Sequence, residues 1–218
     1  MSEHVFWAPQ AWVNGRWEHD VCLGVDARGH WAVITPGITQ QPAHATVLRG
    51  PVLPSMVNAH SHAFQRAFAG LAERRESAAD DFWSWRDRMY GVALRITPAQ
   101  LRAVAAQLYV ELLQGGYTQV CEFHYLHHQE DGQPYADEAT MAWAVADAAH
   151  DAGMGLTVLP VLYERAGFAQ PALRRDQRRF AGTPEFIARL HRKVQGAGRP
   201  LVNAGVSIHS LRAASAES

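Results

Sequence analysis

Between residues 51 and 208, short apolar runs alternate with longer segments whose apolar positions recur every three or four residues. Residues 118–123, 156–163 and 201–208 are nearly continuous apolar runs, the form expected of strands buried on both faces. Leu101, Val104, Leu108 and Leu112 repeat at helix spacing. So do Met141, Val145 and Ala149, and then Ile187, Leu190 and Val194. The helix starts are marked as well. Thr97-Pro98-Ala99-Gln100 supplies a cap, a proline at the first helical position and a capping-box glutamine, and Thr183-Pro184 opens the last helix. Gly115-Gly116 ends the helix that begins at Pro98. Asp80 and Asp81 suit the N-terminus of an earlier helix carrying Phe82, Trp85, Met89 and Tyr90. It belongs to a long helical region after Asn58-Ala59-His60-Ser61-His62, which closes the apolar run at 51–58.

Residues 1–50 follow another pattern. Asn14-Gly15, set between Trp12 and Trp17, predicts a tight hairpin. Residues 21–25 and 31–34 are further short strands, separated by Asp26-Ala27-Arg28-Gly29. The expected organisation is a small β-sheet module over 1–50, an incomplete β-sandwich, followed by an α/β region over 51–218. Buried strands alternating with amphipathic helices imply a parallel sheet covered by helices. A doubly wound sheet and the start of a (β/α)8 barrel both satisfy that pattern. No GxGxxG or Walker sequence follows any strand, which weakens the nucleotide-binding form. About four βα units are present and no helix follows the fourth strand, so the region reads as the N-terminal part of a TIM-type barrel. Half a barrel leaves open strand edges and an unfilled interior, so the chain alone is expected to associate or be poorly soluble. A small open-sheet protein is the alternative.

Charge changes the picture only by exclusion. Twenty basic and 21 acidic residues give a formal net charge of -1, with no electrostatic basis for nucleic acid or an anionic membrane as partner. No apolar stretch approaches the roughly 20 residues of a membrane span, and no signal peptide is visible at the start. Cys22 and Cys121 are far apart, which favours a reducing, cytoplasmic setting. The unusual feature is twelve histidines. His60 and His62 stand two apart at the end of a strand, where alternate side chains share a face and two imidazoles can meet one metal ion. Two polar residues at a strand-to-loop transition give the same spacing, and a chain this rich in histidine produces about one such pair by chance.

The wider sequence separates these readings. Leu53-Pro54-Ser55-Met56-Val57-Asn58-Ala59-His60-Ser61-His62 resembles the first-strand signature of the amidohydrolase superfamily, with Ser55 in place of the usual glycine. Four further segments resemble successive motifs of the formimidoylglutamate deiminase family within it. They are His62-Ala63-Phe64-Gln65-Arg66, Asp81-Phe82-Trp83-Ser84-Trp85-Arg86, residues 118–125 and His209-Ser210-Leu211-Arg212.

The resemblance implies hydrolysis of N-formimino-L-glutamate to N-formyl-L-glutamate and ammonia, in histidine degradation. It implies one Zn2+ ion, or another divalent metal, held in part by His60 and His62. Arg86 and Arg212 match the carboxylate-binding arginines of a dicarboxylate substrate, and Tyr125 and His209 match supporting hydrogen-bond donors. Gln65 matches a polar residue near the formimino group. A homodimer is implied for the complete enzyme, and the β-module is usually completed by the C-terminal end of the chain. The family takes its remaining metal ligands and its acid/base residues from later strands, so no catalytic acid or base is expected before Ser218, and activity of the chain alone is not expected. Glu111, Glu122 and Asp137 are not assigned to those roles. His124, His127 and His128 form a further cluster that fits loop or supporting residues better than a second metal. Another aminohydrolase of the superfamily, such as a guanine deaminase, and a non-catalytic remnant are the alternatives.

Overall fold

A computed structural model of the chain describes residues 4–71 and 81–218. They form two compact units that divide between Ser55 and Met56.

The first unit is a four-stranded sheet. Strands β1 (His4–Val13) and β2 (Arg16–Val25) pair antiparallel, β3 (Trp31–Thr35) lies outside β2, and β4 (Thr46–Val47) pairs parallel to β1. The β1–β2 turn falls at Asn14-Gly15, whose φ values of 50° and 83° are those of a tight hairpin turn that suits the strand twist. Ala11, Val21 and Leu23 make a small core, with Val52 packed on it. The backbone of Val52 bridges to Ala11, so the start of the 51–58 run belongs to this unit rather than to the following strand.

The second unit is built on parallel strands in the order β5 (Met56–Ser61), β6 (Tyr117–His124), β7 (Gly155–Leu162) and β8 (Val202–Ala204). The expected fourth strand over 201–208 is divided. After β8 the chain turns at Gly205-Val206, and β9 (Ser207–Ile208) pairs again with β7. At Gly205 the chain approaches so closely that a Cβ would lie 2.8 Å from Leu159 Cδ2, while its amide donates to the Val158 carbonyl at 2.9 Å.

The helices are α1 (Phe82–Ala93), α2 (Pro98–Gln114), α3 (Thr140–Ala152) and α4 (Pro184–Gly196). Instead of a long helical region, a short 3-10 turn, Ala63–Phe68, follows β5. The Asp81 carboxylate accepts the Ser84 amide at 3.1 Å at the start of α1. Asp80 and the side chain of Phe82 lie outside the described residues. The capping box forms as the sequence predicts: Thr97 Oγ1 accepts the Gln100 amide at 3.2 Å, and Gln100 Oε1 accepts the Thr97 amide at 3.0 Å. On α2 the buried face runs through Leu101, Ala105 and Tyr109, one step round from the predicted stripe; Val104, Leu108 and Leu112 flank it half-buried.

Along β6 and β7, Val120, Leu156 and Val158 are buried beneath the helices, whereas Cys121, Thr157 and Leu159 on the opposite face are half-exposed. This parallel arrangement, with one face covered by helices, is that of a partial (β/α)8 barrel.

Candidate active site

The predicted residues converge at the carboxyl ends of the parallel strands. His60 is on β5, His62 follows it, Tyr125 follows β6 and His209 follows β9. Gln65 comes from the 3-10 turn, Arg86 from α1 and Arg212 from the segment after His209. All of these line one cavity of about 260 Å³. The carboxyl ends of a parallel sheet are where such folds collect chemistry, because loops of several strands meet there.

Strand geometry sends His60 and His62 to one side while Ser61 between them is buried on the other. Their rings are 4.6 Å apart at 82°, and the two Nε2 atoms face each other at 2.9 Å. Burial, and then the neighbouring charge of His60, lower the pKa of His62 to about 4, partly offset by the Phe123 backbone. A neutral imidazole is the form that ligates metal. Nitrogen ligands lie about 2.0–2.1 Å from zinc, so two nitrogens this close can share one ion. The pair therefore fits as part of a zinc site. Among the described residues, no group of three or more His, Cys, Asp or Glu side chains is gathered for a metal.

Aromatic rings frame the pair. Phe123 packs 4.8 Å from His60 and 5.2 Å from His62, and Tyr125 stands 5.4 Å from both His62 and His209. His209 is lowered to about 4, by burial first and then by Arg212, His62 and His60. Gln65 Nε2 donates to the Tyr125 hydroxyl at 3.1 Å, which leaves the hydroxyl proton for another acceptor. The Arg86 guanidinium is mostly buried, 15% exposed, and lies over the Tyr90 ring at 5.5 Å. The Arg86 guanidinium, 3.5 Å from the Asp87 carboxylate, and that of Arg212 bring two cationic groups to the cavity beside His62 and His209.

Trp85, Met89, Tyr90, Tyr163 and Phe180 also line the cavity and were not singled out as site residues from the sequence. Tyr163 follows β7 and packs 4.4 Å from the His209 ring, while Gln177 Nε2 donates to the hydroxyls of Tyr163 at 3.0 Å and Tyr90 at 3.2 Å. Its place at a strand's carboxyl end was the available sequence signal. A larger cleft of about 800 Å³ shares Tyr163, but its cations Arg189 and Lys193 are paired with Glu138 and Asp137.

The other acidic and histidine candidates lie elsewhere. Glu111 pairs with Arg66 at 2.8 Å, and Asp137 accepts from Lys193, the Ala139 amide and Trp143. His127 and His128 bond to the carbonyls of Val161 at 3.1 Å and Ala181 at 2.8 Å. His124 and His127 are buried, each with one ring nitrogen that makes no hydrogen bond. Burial lowers the pKa of His124 to about 4 and holds that of His127 well below the ordinary histidine value. Between the unfolded value near 6.5 and these folded values, the unfolded chain binds more protons, so stability falls as pH falls through that window. Glu122, raised by burial to about 7, acts in the opposite sense, but it is one group against five, since His62, His128 and His209 are lowered as well. Thermal midpoints are expected to be level above about pH 7 and to drop towards pH 4. The drop should be shallower in His124→Leu; an unchanged acid limb in that variant would contradict the assignment.

The amidohydrolase family model matches residues 52–218. Formimidoylglutamate deiminase of Pseudomonas aeruginosa is 44% identical over 94% of this chain, and the match covers 45% of that protein. The crystal structure of an amidohydrolase from Brucella melitensis is 46% identical and superposes with a TM-score of 0.88, covering 98% of this chain and 47% of that one. Atrazine chlorohydrolase from Arthrobacter aurescens, crystallised with zinc, shares the fold at a TM-score of 0.70 and 14% identity, over 98% of this chain and 48% of its own. The chain thus spans about half the length of the relatives it matches, and it belongs to the amidohydrolase family.

Proposed function

We propose that the chain supplies the first half of the active site of a metal-dependent deiminase acting on N-formimino-L-glutamate. The observation that supports this most is the single cavity in which the His60–His62 imidazole pair meets two guanidinium groups. His60 and His62 would hold a zinc or related divalent ion, which when bound activates water for attack on the formimino carbon near neutral pH. Arg86 and Arg212 bind the two carboxylates of the glutamate end, since guanidinium offers paired donors to planar oxyanions. That anchoring turns a loose encounter into a positioned one. Gln65 keeps its carbonyl oxygen for an amidine N–H while its amide nitrogen orients Tyr125. No Asp or Glu among the described residues lines the cavity, so no residue of this chain is given the proton transfers.

Steady-state assays of the full-length enzyme with N-formimino-L-glutamate and with guanine test the proposal. Ammonia release from the dicarboxylate is expected to be faster, and faster turnover of guanine would reject the arginine assignment. Arg212→Met should lower kcat/KM about ten- to a hundredfold, mainly through KM, because a charged hydrogen bond contributes on the order of 1.5–3 kcal/mol.

A further inference from the structure

Among the described residues of the barrel unit, Glu122 is the one buried acid, and the proposed chemistry leaves it without a role. It lies on β6, beside Ser61 in the β5–β6 register and on the face opposite Phe123 and the cavity. Its side chain is buried, and three donors reach it. One carboxylate oxygen accepts the Ala63 amide at 2.6 Å. The other accepts the hydroxyl of Tyr109, itself fully buried on α2, at 3.3 Å. The Ser61 hydroxyl is a third partner. Ser61 and Ala63 are the residues on either side of His62.

A buried carboxylate is an expensive way to fill space, because an apolar side chain of the same volume packs there without desolvating a charge. What the carboxylate adds is a fixed anchor for the Ala63 amide and the Ser61 hydroxyl, on either side of His62. On the far side of the pair, Asn58 Oδ1 accepts the His60 amide at 3.1 Å, so the His60-Ser61-His62 segment is tied at both ends. We infer that Glu122 is a positioning residue: through Ser61 and Ala63 it fixes the backbone around His62 and so the direction in which that imidazole faces His60. The inference rests on the reading of His60 and His62 as a metal pair. Groups that orient metal ligands from behind commonly alter metal affinity ten- to a hundredfold when removed.

Cobalt(II) titration of the full chain, followed by its visible absorption, is the test. Glu122→Ala is expected to weaken cobalt binding at least tenfold and to change the spectrum. Glu122→Gln, which keeps a carbonyl for the Ala63 amide, should recover most of the affinity. Val120→Ala removes buried volume from the same strand and leaves the anchor intact, so it should lower the thermal midpoint without touching cobalt affinity. Wild-type affinity and spectrum in Glu122→Ala would overturn the inference, as would an equal loss in Val120→Ala. If Glu122→Ala does not fold, Ser61→Ala and Tyr109→Phe each remove one partner; a severalfold loss in both supports the role, and wild-type affinity in both overturns it. A wild-type chain that takes up no cobalt, or a His60→Ala chain that takes it up equally well, refutes the metal pair instead. Positioning is then decided on the metal-free chain by the ring NMR shifts of His62, which should move in Glu122→Ala and not in Val120→Ala; shifts unmoved in both overturn it.

Discussion

Replacing His60 with alanine is expected to abolish zinc binding while leaving the metal-free fold as stable as before. The two effects separate because His60 is exposed, and its ring touches only its partner His62 and Phe123 among the aromatic contacts. Substitutions at exposed positions usually change stability by less than about 0.5 kcal/mol. The metal effect is large for a different reason. One neutral nitrogen cannot hold an ion that two nitrogens 2.9 Å apart can share. Zinc at a hundred times its dissociation constant stabilises a folded protein by about 2.7 kcal/mol. For a chain of this size that corresponds to a rise in midpoint of roughly 5–10 °C. Wild-type protein should show this rise and His60→Ala should show none, with bound zinc absent by elemental analysis. Equal zinc content in the variant would remove His60 from the site.

Arg179→Met is expected to be the most destabilising single change away from the cavity. Arg179 is fully buried, and among the described residues it has no carboxylate partner within ion-pair distance. Its guanidinium is held by carbonyl oxygens: Ala93 at 2.6 Å, Ile96 at 2.9 Å and His128 at 2.8 Å. Ala93 is the last residue of α1, where the helix dipole favours a cation. The backbone carbonyl of Arg179 in turn accepts the amides of His127 and His128. Methionine fills similar space but leaves those carbonyls buried without donors. Each buried carbonyl left without a donor costs about 1–3 kcal/mol, so the three together should lower the midpoint by roughly 10 °C. Lysine should not rescue it, because a single ammonium cannot reach carbonyls spread across a planar fork. Urea unfolding of both variants is the measurement, and a loss below about 1 kcal/mol would show that water replaces the guanidinium.

What was legible beforehand shares one property: its cause is local. The Asn14-Gly15 hairpin needs two residues at positive φ, the α2 start needs a threonine three residues before a glutamine, and His60 and His62 share a face because strand side chains alternate. Each is decided within a few residues, so the sequence by itself determined the elements, their α/β order and the imidazole pair. Even there the reading blurred where neighbours intervene, as at Gly205, where the close approach to Leu159 accompanies the division of an apolar run that reads as one strand.

What only the tertiary structure decided depends on contacts between distant segments. In the run Arg174-Arg175-Asp176-Gln177-Arg178-Arg179 every charge looks equally solvated, yet Arg179 alone is fully buried, because its partners come from α1 and the loop after β6. Glu122 and Glu111 are both acids in apolar surroundings along the chain. One anchors the backbone around His62, and the other pairs with Arg66 at the surface. Tyr163 enters the cavity because β9 brings His209 against it. Burial and long-range hydrogen bonding set the role of such residues, and neither is written in the spacing of a single segment, since each depends on which strands and helices pack together.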